Sequence, residues 1–326
     1  MNPVRWGLLS TANVNRHLIP AIRASERGEL VAVASRSQKS ADEYARQWDI
    51  PKTFGSYEAL LESDAVDAVY ISLPNHLHAA WSIRALHNGK HVLCEKPFTI
   101  SLAEMDAVME AAAETGNVIA EAFMYRHHPQ TKLVGDWIRD GRLGAISVLR
   151  GVFTFKMGSR ENVRLVPEYG GGCLWDIGIY PLSYAQVVFG GPPSVVEGLQ
   201  DLGPSGVDEA FAGQMRYPGG ELAQIGSSFR TPYHTAIEIW GSEGRLHLTR
   251  PFSVVEEGVV IFYPAQGEPQ QLDVPRQQLY LGEVEDMHAA ILDGAEPLIP
   301  LQDTRDHVRT ALALYASARS GQVVAL

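Results

Sequence analysis

"AVDAVYISLPNHLHAAWSIRALHNGKHVLCEKPFT" runs from Ala65 to Thr99, and its reading decides the fold. "AVDAVYISL" (Ala65–Leu73) is an almost unbroken apolar run rich in β-branched and aromatic residues, the pattern of a strand with no polar face. "LHAAWSIRALHNG" follows with helical spacing, and Gly89 can terminate it. "KHVLCE" returns to the strand pattern. Two strands without a water-facing side, joined by a helix, predict a parallel pair covered on both faces. Polar residues gather where each strand stops: Asn75 and His78 after the first, Glu95, Lys96 and Pro97 after the second.

The same alternation extends outward over residues 1–123. "VRWGLLS" (Val4–Ser10), "ELVAVAS" (Glu29–Ser35) and "NVIAEAF" read as buried strands. "NVNRHLIPAIRAS" is a helix that Pro20 should kink or bound early. "SADEYARQW" is a helix with Ser40 as a candidate cap, and "SLAEMDAVMEAAAETG" has Ser101 and Glu104 in capping-box spacing. The sum is a doubly wound α/β nucleotide-binding fold. After about residue 150 the rhythm changes. "ISVLRGVFTFKM", "VDEAFAGQMRYPGGELAQIGSSF" and "TAIEIWGSEGRLHLT" are longer strands with hairpin-like turns at "YPGGE" and "GSEGR", which predicts a mostly antiparallel sheet with one open face. The helical segment "GGCLWDIGIYPLSYAQVVFG" interrupts it, and two helices end the chain. A chain of 326 residues is long for one core. We expect a Rossmann domain over 1–123 and a substrate-binding and oligomerisation domain over 124–326, its C-terminal helices free to pack back on the first.

Hydrophobic residues make up 45% and charged residues 20%, a soluble balance. The net charge of −11, with Lys and Arg scattered, argues against a nucleic-acid face. Two cysteines, Cys94 and Cys173, allow no zinc-finger spacing and suit a reducing compartment. The start lacks a basic segment followed by a long apolar one, and no apolar run approaches ~18 residues. The expectation is a cytoplasmic protein with no metal, nucleic-acid or membrane partner.

A dinucleotide fold usually carries G-x-G-x-x-G after its first strand. Here "STANVN" (Ser10–Asn15) stands in its place, with all three glycines absent. Ser10 and Ala12 are small enough for a pyrophosphate to approach, and the helix start offers unpaired N–H groups, so Ser10, Thr11, Ala12, Asn13 and Val14 are cofactor candidates. A plain strand-to-helix turn explains the stretch equally well. Ser35 and Arg36 sit where an acidic residue would read the ribose of NAD; a guanidinium instead grips a 2′-phosphate, and Lys39 adds charge. That favours NADP, with NAD still possible. Leu73, Pro74, Asn75 and His78 lie at the sheet edge where such folds bind ligands, although His78 also suits an ordinary helix surface. Glu95 and Lys96 end a strand at that same edge. A partly desolvated lysine there can exchange a proton with a hydroxyl, with Glu95 orienting it or binding ribose.

"WGLLSTA", "SLPNHLH", "CEKPF", "EAFMYRHHPQ" and "GGGCLWDIGIYPL", in that order, resemble the glucose–fructose oxidoreductase / inositol dehydrogenase / rhizopine-catabolism (Gfo/Idh/MocA) family over nearly the whole chain. "EAFMYRHHP" and "DIGIYPL" are most similar to its dimeric dihydrodiol dehydrogenase and NADP-dependent xylose dehydrogenase branch. The resemblance implies an N-terminal Rossmann domain and a C-terminal α/β domain with an open-faced, mostly antiparallel sheet that mediates homodimers or homotetramers. It implies hydride transfer between NAD(P) and a sugar, polyol or vicinal diol. By motif position Lys96 is the catalytic lysine, while Asp176 and Tyr180, four apart and so able to share a helix face, are its polar partners. Pro181 complicates that helix, as a kink or a start. Tyr180 is the expected acid/base with Lys96 assisting, and Asp176 would hold a substrate hydroxyl. Glu121, Tyr125, Arg126 and His128 are candidates for the substrate crevice, with Phe123 and Met124 read as core; the loop Lys156–Gly171 is a candidate for specificity. Two other readings stay open: a non-catalytic nicotinamide-sensing regulator, which has no need of Lys96, Asp176 and Tyr180 together, and an NAD-dependent glycosidase, which Ser35 and Arg36 disfavour.

Overall fold

Strands that are apolar on both faces assemble the first sheet. The computed structural model describes residues 2–253 and 258–326. β1 (Val4–Leu8), β2 (Gly28–Ala34), β3 (Lys52–Phe54), β4 (Ala68–Ile71), β5 (His91–Glu95) and β6 (Ile119–Ala122) lie parallel in the order β3-β2-β1-β4-β5-β6. All four residues of β4 and of β6 are buried. Strand order reverses between β1 and β4, which opens a crevice at their carboxyl ends. The register sets Trp6 beside Ala68, Val69 beside Val92 and Cys94 beside Glu121.

The covering helices are α1 (Asn15–Ala24), α2 (Gln38–Trp48), α3 (Tyr57–Leu61), α4 (His78–His87) and α5 (Leu102–Thr115). Pro20 neither ends nor bounds α1, which continues to Ala24 with Pro20 on its exposed side. The cap of α2 is Ser37 rather than Ser40: the chain is still extended at Ser37, whose Oγ accepts the Ser40 N–H at 3.2 Å. Ser101 caps α5 by accepting the Glu104 N–H, while the Glu104 carboxylate accepts the Ile100 N–H, one residue outside the usual box. A later helix, α8 (Leu281–Asp293), belongs to this unit as well. Its His288 accepts the Trp6 indole N–H at 2.9 Å through Nε2, so Nδ1 carries the proton that faces Ser25 Oγ at 3.1 Å. Gly28 is required beneath that ring, because a Cβ there would lie 2.6 Å from His288.

The second sheet follows the other periodicity. β7 (Ile146–Thr154), β8 (Val195–Leu202), β9 (Asp208–Arg216), β10 (Leu222–Ser228), β11 (His234–Gly241), β12 (Gly244–Thr249), β13 (Val260–Pro264), β14 (Gln270–Leu272) and β15 (Val324–Ala325) run in the order β14-β13-β12-β11-β7-β10-β9-β8-β15. The β7–β10 pair is parallel and the other pairs are antiparallel. Alternate residues are buried, such as Phe211, Met215, Ile225, Ile237 and Ile239, under α7 (Ile179–Phe189) and α9 (Leu301–Ser320). The opposite face carries Leu199, Gln214, Gln224 and Arg150; Leu199 is 69% exposed, so the described residues leave this face uncovered. The remaining helix is α6 (Pro129–Arg139). By their internal contacts the residues form two units, Met1–His127 with Tyr280–Thr304 and His128–Leu279 with Arg305–Leu326. No helix among the described residues is long and apolar enough to cross a membrane.

Candidate active site

At the carboxyl edge of the first sheet, the loop after β1 is tied to the loop after β4 by a closed ring of neutral hydrogen bonds. The Ala12 N–H donates to Ser10 Oγ at 3.1 Å, Ser10 and Ser72 hydroxyls meet at 2.6 Å, and Ser72 Oγ donates to Asn15 Oδ1 at 2.6 Å. The ring closes through Asn15 Nδ2, which donates to the Ser10 carbonyl at 2.9 Å. Each hydroxyl can donate once and accept besides, so the members polarise one another. Asn15 is fully buried where the usual motif has its third glycine. Thr11, Ala12 and Val14 remain partly accessible and Asn13 is exposed. No side chain caps α1 and no acidic residue lies in its first turn, which leaves that end favourable to an anion. At the end of β2, Ser35 is buried while Arg36 and Lys39 are exposed; Lys39 lies 4.0 Å from Glu43. Arg36 acts electrostatically on the Tyr57 phenol.

The end of β4 and the turn after β5 are joined by His78. Its Nδ1 lies 2.8 Å from the Pro97 carbonyl and its Nε2 lies 2.7 Å from the Leu73 carbonyl, with the ring 1% exposed. Burial pulls its pKa down against those two carbonyls. Both nitrogens are thus engaged by backbone, beneath the edge rather than on it. Pro74 and Asn75 form the turn leading into α4. Glu95 receives a short hydrogen bond from the buried Tyr70 hydroxyl, and the Lys96–Pro97 bond is cis. Lys96 is partly accessible. Glu121, 1% exposed, accepts the Phe98 N–H at 3.2 Å and so braces the same turn from β6.

In the second unit the candidate residues sit where a π-helical turn, Leu174–Gly178, passes into α7. Such turns mark strained and often functional positions. Asp176 lies within the turn and Tyr180 one residue beyond the switch. Pro181 is the third residue of α7, so the helix does not start there. Asp176 accepts Arg164 Nε at 2.6 Å, which pins the loop Lys156–Gly171 to this turn. The Tyr180 ring packs between Phe153 and Phe252, with centroids at 5.5 and 5.3 Å.

Three other expected residues are placed away from open space. Tyr125 is fully buried, edge-on to Phe123. The Arg126 guanidinium is 10% exposed and lies 3.8 Å from Asp303. His128 caps α6: Nδ1 accepts the Gln130 N–H at 3.1 Å, which puts the proton on Nε2, facing the Gln277 carbonyl at 3.3 Å. Sequence reasoning missed Ser72, Asn15, Arg164 and Asp208. Ser72 had a local signal, a hydroxyl closing a buried strand. The others are ordinary polar residues in sequence and acquire partners only through the fold.

Residues 4–123 match the GFO/IDH/MocA family, described as an oxidoreductase family with an NAD-binding Rossmann fold, and residues 131–247 match the C-terminal domain of that family. The "D-xylose 1-dehydrogenase (NADP(+)) 2" of Haloferax volcanii is 36% identical over 324 residues, 98% of this chain and 99% of its own. The trans-1,2-dihydrobenzene-1,2-diol dehydrogenase of Bos taurus is 30% identical over 83% of this chain and 80% of its own. Among solved structures, a 3-ketoreductase from Actinomadura kijaniata in complex with NADP and TDP-benzene matches with a TM-score of 0.90 at 31% identity, over 97% of this chain and 98% of its own. That ketoreductase has also been solved with one tyrosine or one lysine substituted.

Proposed function

This chain belongs to the GFO/IDH/MocA oxidoreductase family, and from that premise we propose that it transfers a hydride between NADP and a sugar, polyol or vicinal diol, or the corresponding carbonyl. The observation that carries the reading is the carboxyl edge of the first sheet: Lys96 follows β5 there, and Arg36 follows β2 with no carboxylate at the neighbouring positions. The 3-ketoreductase was substituted at a lysine and a tyrosine the same number of residues apart as Lys96 and Tyr180, which supports pairing these two.

The residues present suit NADP. Bound, it supplies the nicotinamide carbon that takes or gives the hydride. Ser10, Thr11, Ala12, Asn13 and Val14 would receive its pyrophosphate at the start of α1. Ser35, Arg36 and Lys39 would hold the 2′-phosphate, and a carboxylate there would repel it. Leu73, Pro74, Asn75 and Glu95 would border the nicotinamide ribose, with His78 supporting from below. Tyr180 exchanges the proton with the substrate hydroxyl and Lys96 assists, each by holding or releasing a proton at its terminal atom. Asp176, held by Arg164, accepts from a second hydroxyl. Tyr125, Arg126 and His128 complete the proposed set of substrate residues. Residues 1–123 would then serve the cofactor, and 124–326 the substrate and assembly.

The test is NADPH formation across a panel of aldoses, polyols and vicinal diols, with NAD in parallel. NADP-linked turnover is the expected result. Bound NADP with silence across the panel would favour a sensor, and tightly held NAD without net reduction would favour a glycosidase. We further propose a homodimer or homotetramer through the open face around Leu199 and Leu222, checked by light scattering of Leu199→Lys. A cytoplasmic setting agrees with two buried free thiols.

A further inference from the structure

We infer that Asp208 is a positioning residue for the substrate end: its carboxylate fixes the start of the π-helical turn that carries Asp176 and leads to Tyr180. The inference rests on the roles proposed above for those two residues. Asp208 opens β9 and is 2% exposed. Its Oδ2 accepts the Leu174 N–H at 2.8 Å and the Cys173 thiol at 3.2 Å, and its Oδ1 accepts the Tyr315 hydroxyl at 2.8 Å. Leu174 is the first residue of the turn, so its N–H is one that the helix itself leaves without a partner.

The approach is built to be close. Gly172 has φ of 125°, and a Cβ there would stand 2.0 Å from Asp208 Oδ1 and 2.9 Å from the Tyr315 oxygen. Only glycine lets the chain run this near the carboxylate. Cys173 is fixed in turn by Ser227, whose Oγ donates to Sγ at 3.2 Å. The anchored N–H precedes Asp176 by two residues along one continuous helical path. A shift at Leu174 therefore moves Asp176 and Tyr180 together, and a misplacement of about 1 Å at reacting groups costs on the order of 10²-fold in rate.

The experiment compares Asp208→Ala, Asp208→Asn and Tyr315→Phe in the full-length enzyme, with substrate kinetics, NADPH binding by fluorescence and thermal unfolding measured for each. Asp208→Ala should lower kcat roughly 10²-fold and raise the substrate KM while leaving NADPH affinity unchanged. Asp208→Asn should recover most of that loss, since its amide oxygen can still accept the Leu174 N–H. Tyr315→Phe removes one bond to the carboxylate but not the Leu174 contact, so it should cost stability and leave kcat within about 3-fold. Wild-type kinetics in Asp208→Ala would overturn the inference. So would a kcat loss in Tyr315→Phe equal to that of Asp208→Ala, because the role would then be structural alone. Should the alanine variant not fold, Asp208→Ser decides, because its hydroxyl is one bond too short to hold the Leu174 N–H: a lower kcat than Tyr315→Phe supports positioning, and equal kcat overturns it. A wild-type enzyme that turns over no sugar or diol with NADP marks instead the failure of the functional reading, and takes this inference with it.

Discussion

The two candidate regions are held by different chemistry. The carboxyl edge of the parallel sheet is tied mostly by neutral groups, the ring of Ser10, Ser72 and Asn15 and His78 between two carbonyls, with the Glu121 carboxyl adding a brace at the Phe98 N–H. The π-helical turn over the antiparallel sheet is tied by carboxylates: Asp176 to Arg164, and Asp208 to Leu174, Cys173 and Tyr315. Topology explains the contrast. In a parallel sheet every strand delivers its end to the same edge, so mostly small neutral ties finish it. A π-helical turn has no such alignment and poorer bonding of its own, so stronger acceptors hold it. The lesson is that charge at a functional region can be scaffolding, and that neutrality at one does not mean it lacks construction.

The sharpest way to separate the two regions is Lys96→Met. Turnover should fall about 10²- to 10⁴-fold with NADPH affinity preserved; unchanged turnover would remove Lys96 from the chemistry. Next in size is Tyr180→Phe. It should lower kcat on the order of 10²-fold, the lower end of the range for a lost acid/base, and full activity would make Tyr180 a packing residue between Phe153 and Phe252. Arg36→Ala probes the cofactor edge alone: a charge-assisted phosphate bond worth about 2 kcal/mol predicts roughly a 30-fold weaker NADP Kd with NAD barely altered. Equal effects on both nucleotides would place Arg36 away from the 2′-phosphate.

The smallest effect concerns Glu283 of α8. It is 1% exposed, and neither carboxyl oxygen has a hydrogen-bond partner among the described residues. Burial, then the charges of Glu95 and Asp286, push its pKa well above the ordinary 4.5. The folded protein therefore keeps this proton where the unfolded chain has released it. No stability is lost below the unfolded value, and stability falls as pH rises from there toward the folded value. Glu283→Gln fixes the neutral form. It should match the wild-type Tm in acid and exceed it by a few degrees at pH 8; a Tm difference independent of pH would contradict the raised pKa.

Most of the first sheet was legible because its strands are apolar on both faces, a pattern no solvated loop shows. β3, three residues starting with an exposed lysine, and the five-residue α3 fall below what periodicity can detect. β8 was missed for another reason: Glu197, Gln200 and Asp201 give it the look of a loop, because one face meets water. α6 hid behind "RHHPQ", where His128 reads as a ligand contact and serves as a helix cap. Of the candidate site, the motif residues stood out by their place after a strand or in a family pattern. Asp208 and Glu283 did not. A lone acid in a strand or helix ordinarily faces solvent, and nothing local tells that Tyr315 will bond the first or that the fold will bury the second.

The assignment of Tyr280–Thr304 to the first unit has a consequence for how the protein is made. During synthesis the first 127 residues leave the ribosome without α8, and so without the His288 ring that receives the Trp6 indole. Trp6 waits for a partner 282 positions downstream. The amino-terminal part must therefore persist incomplete while nearly the whole of the second sheet is translated, with part of its apolar surface uncovered and open to chaperones. A stop or frameshift between Tyr280 and Thr304 would leave two unfinished units rather than one finished and one truncated.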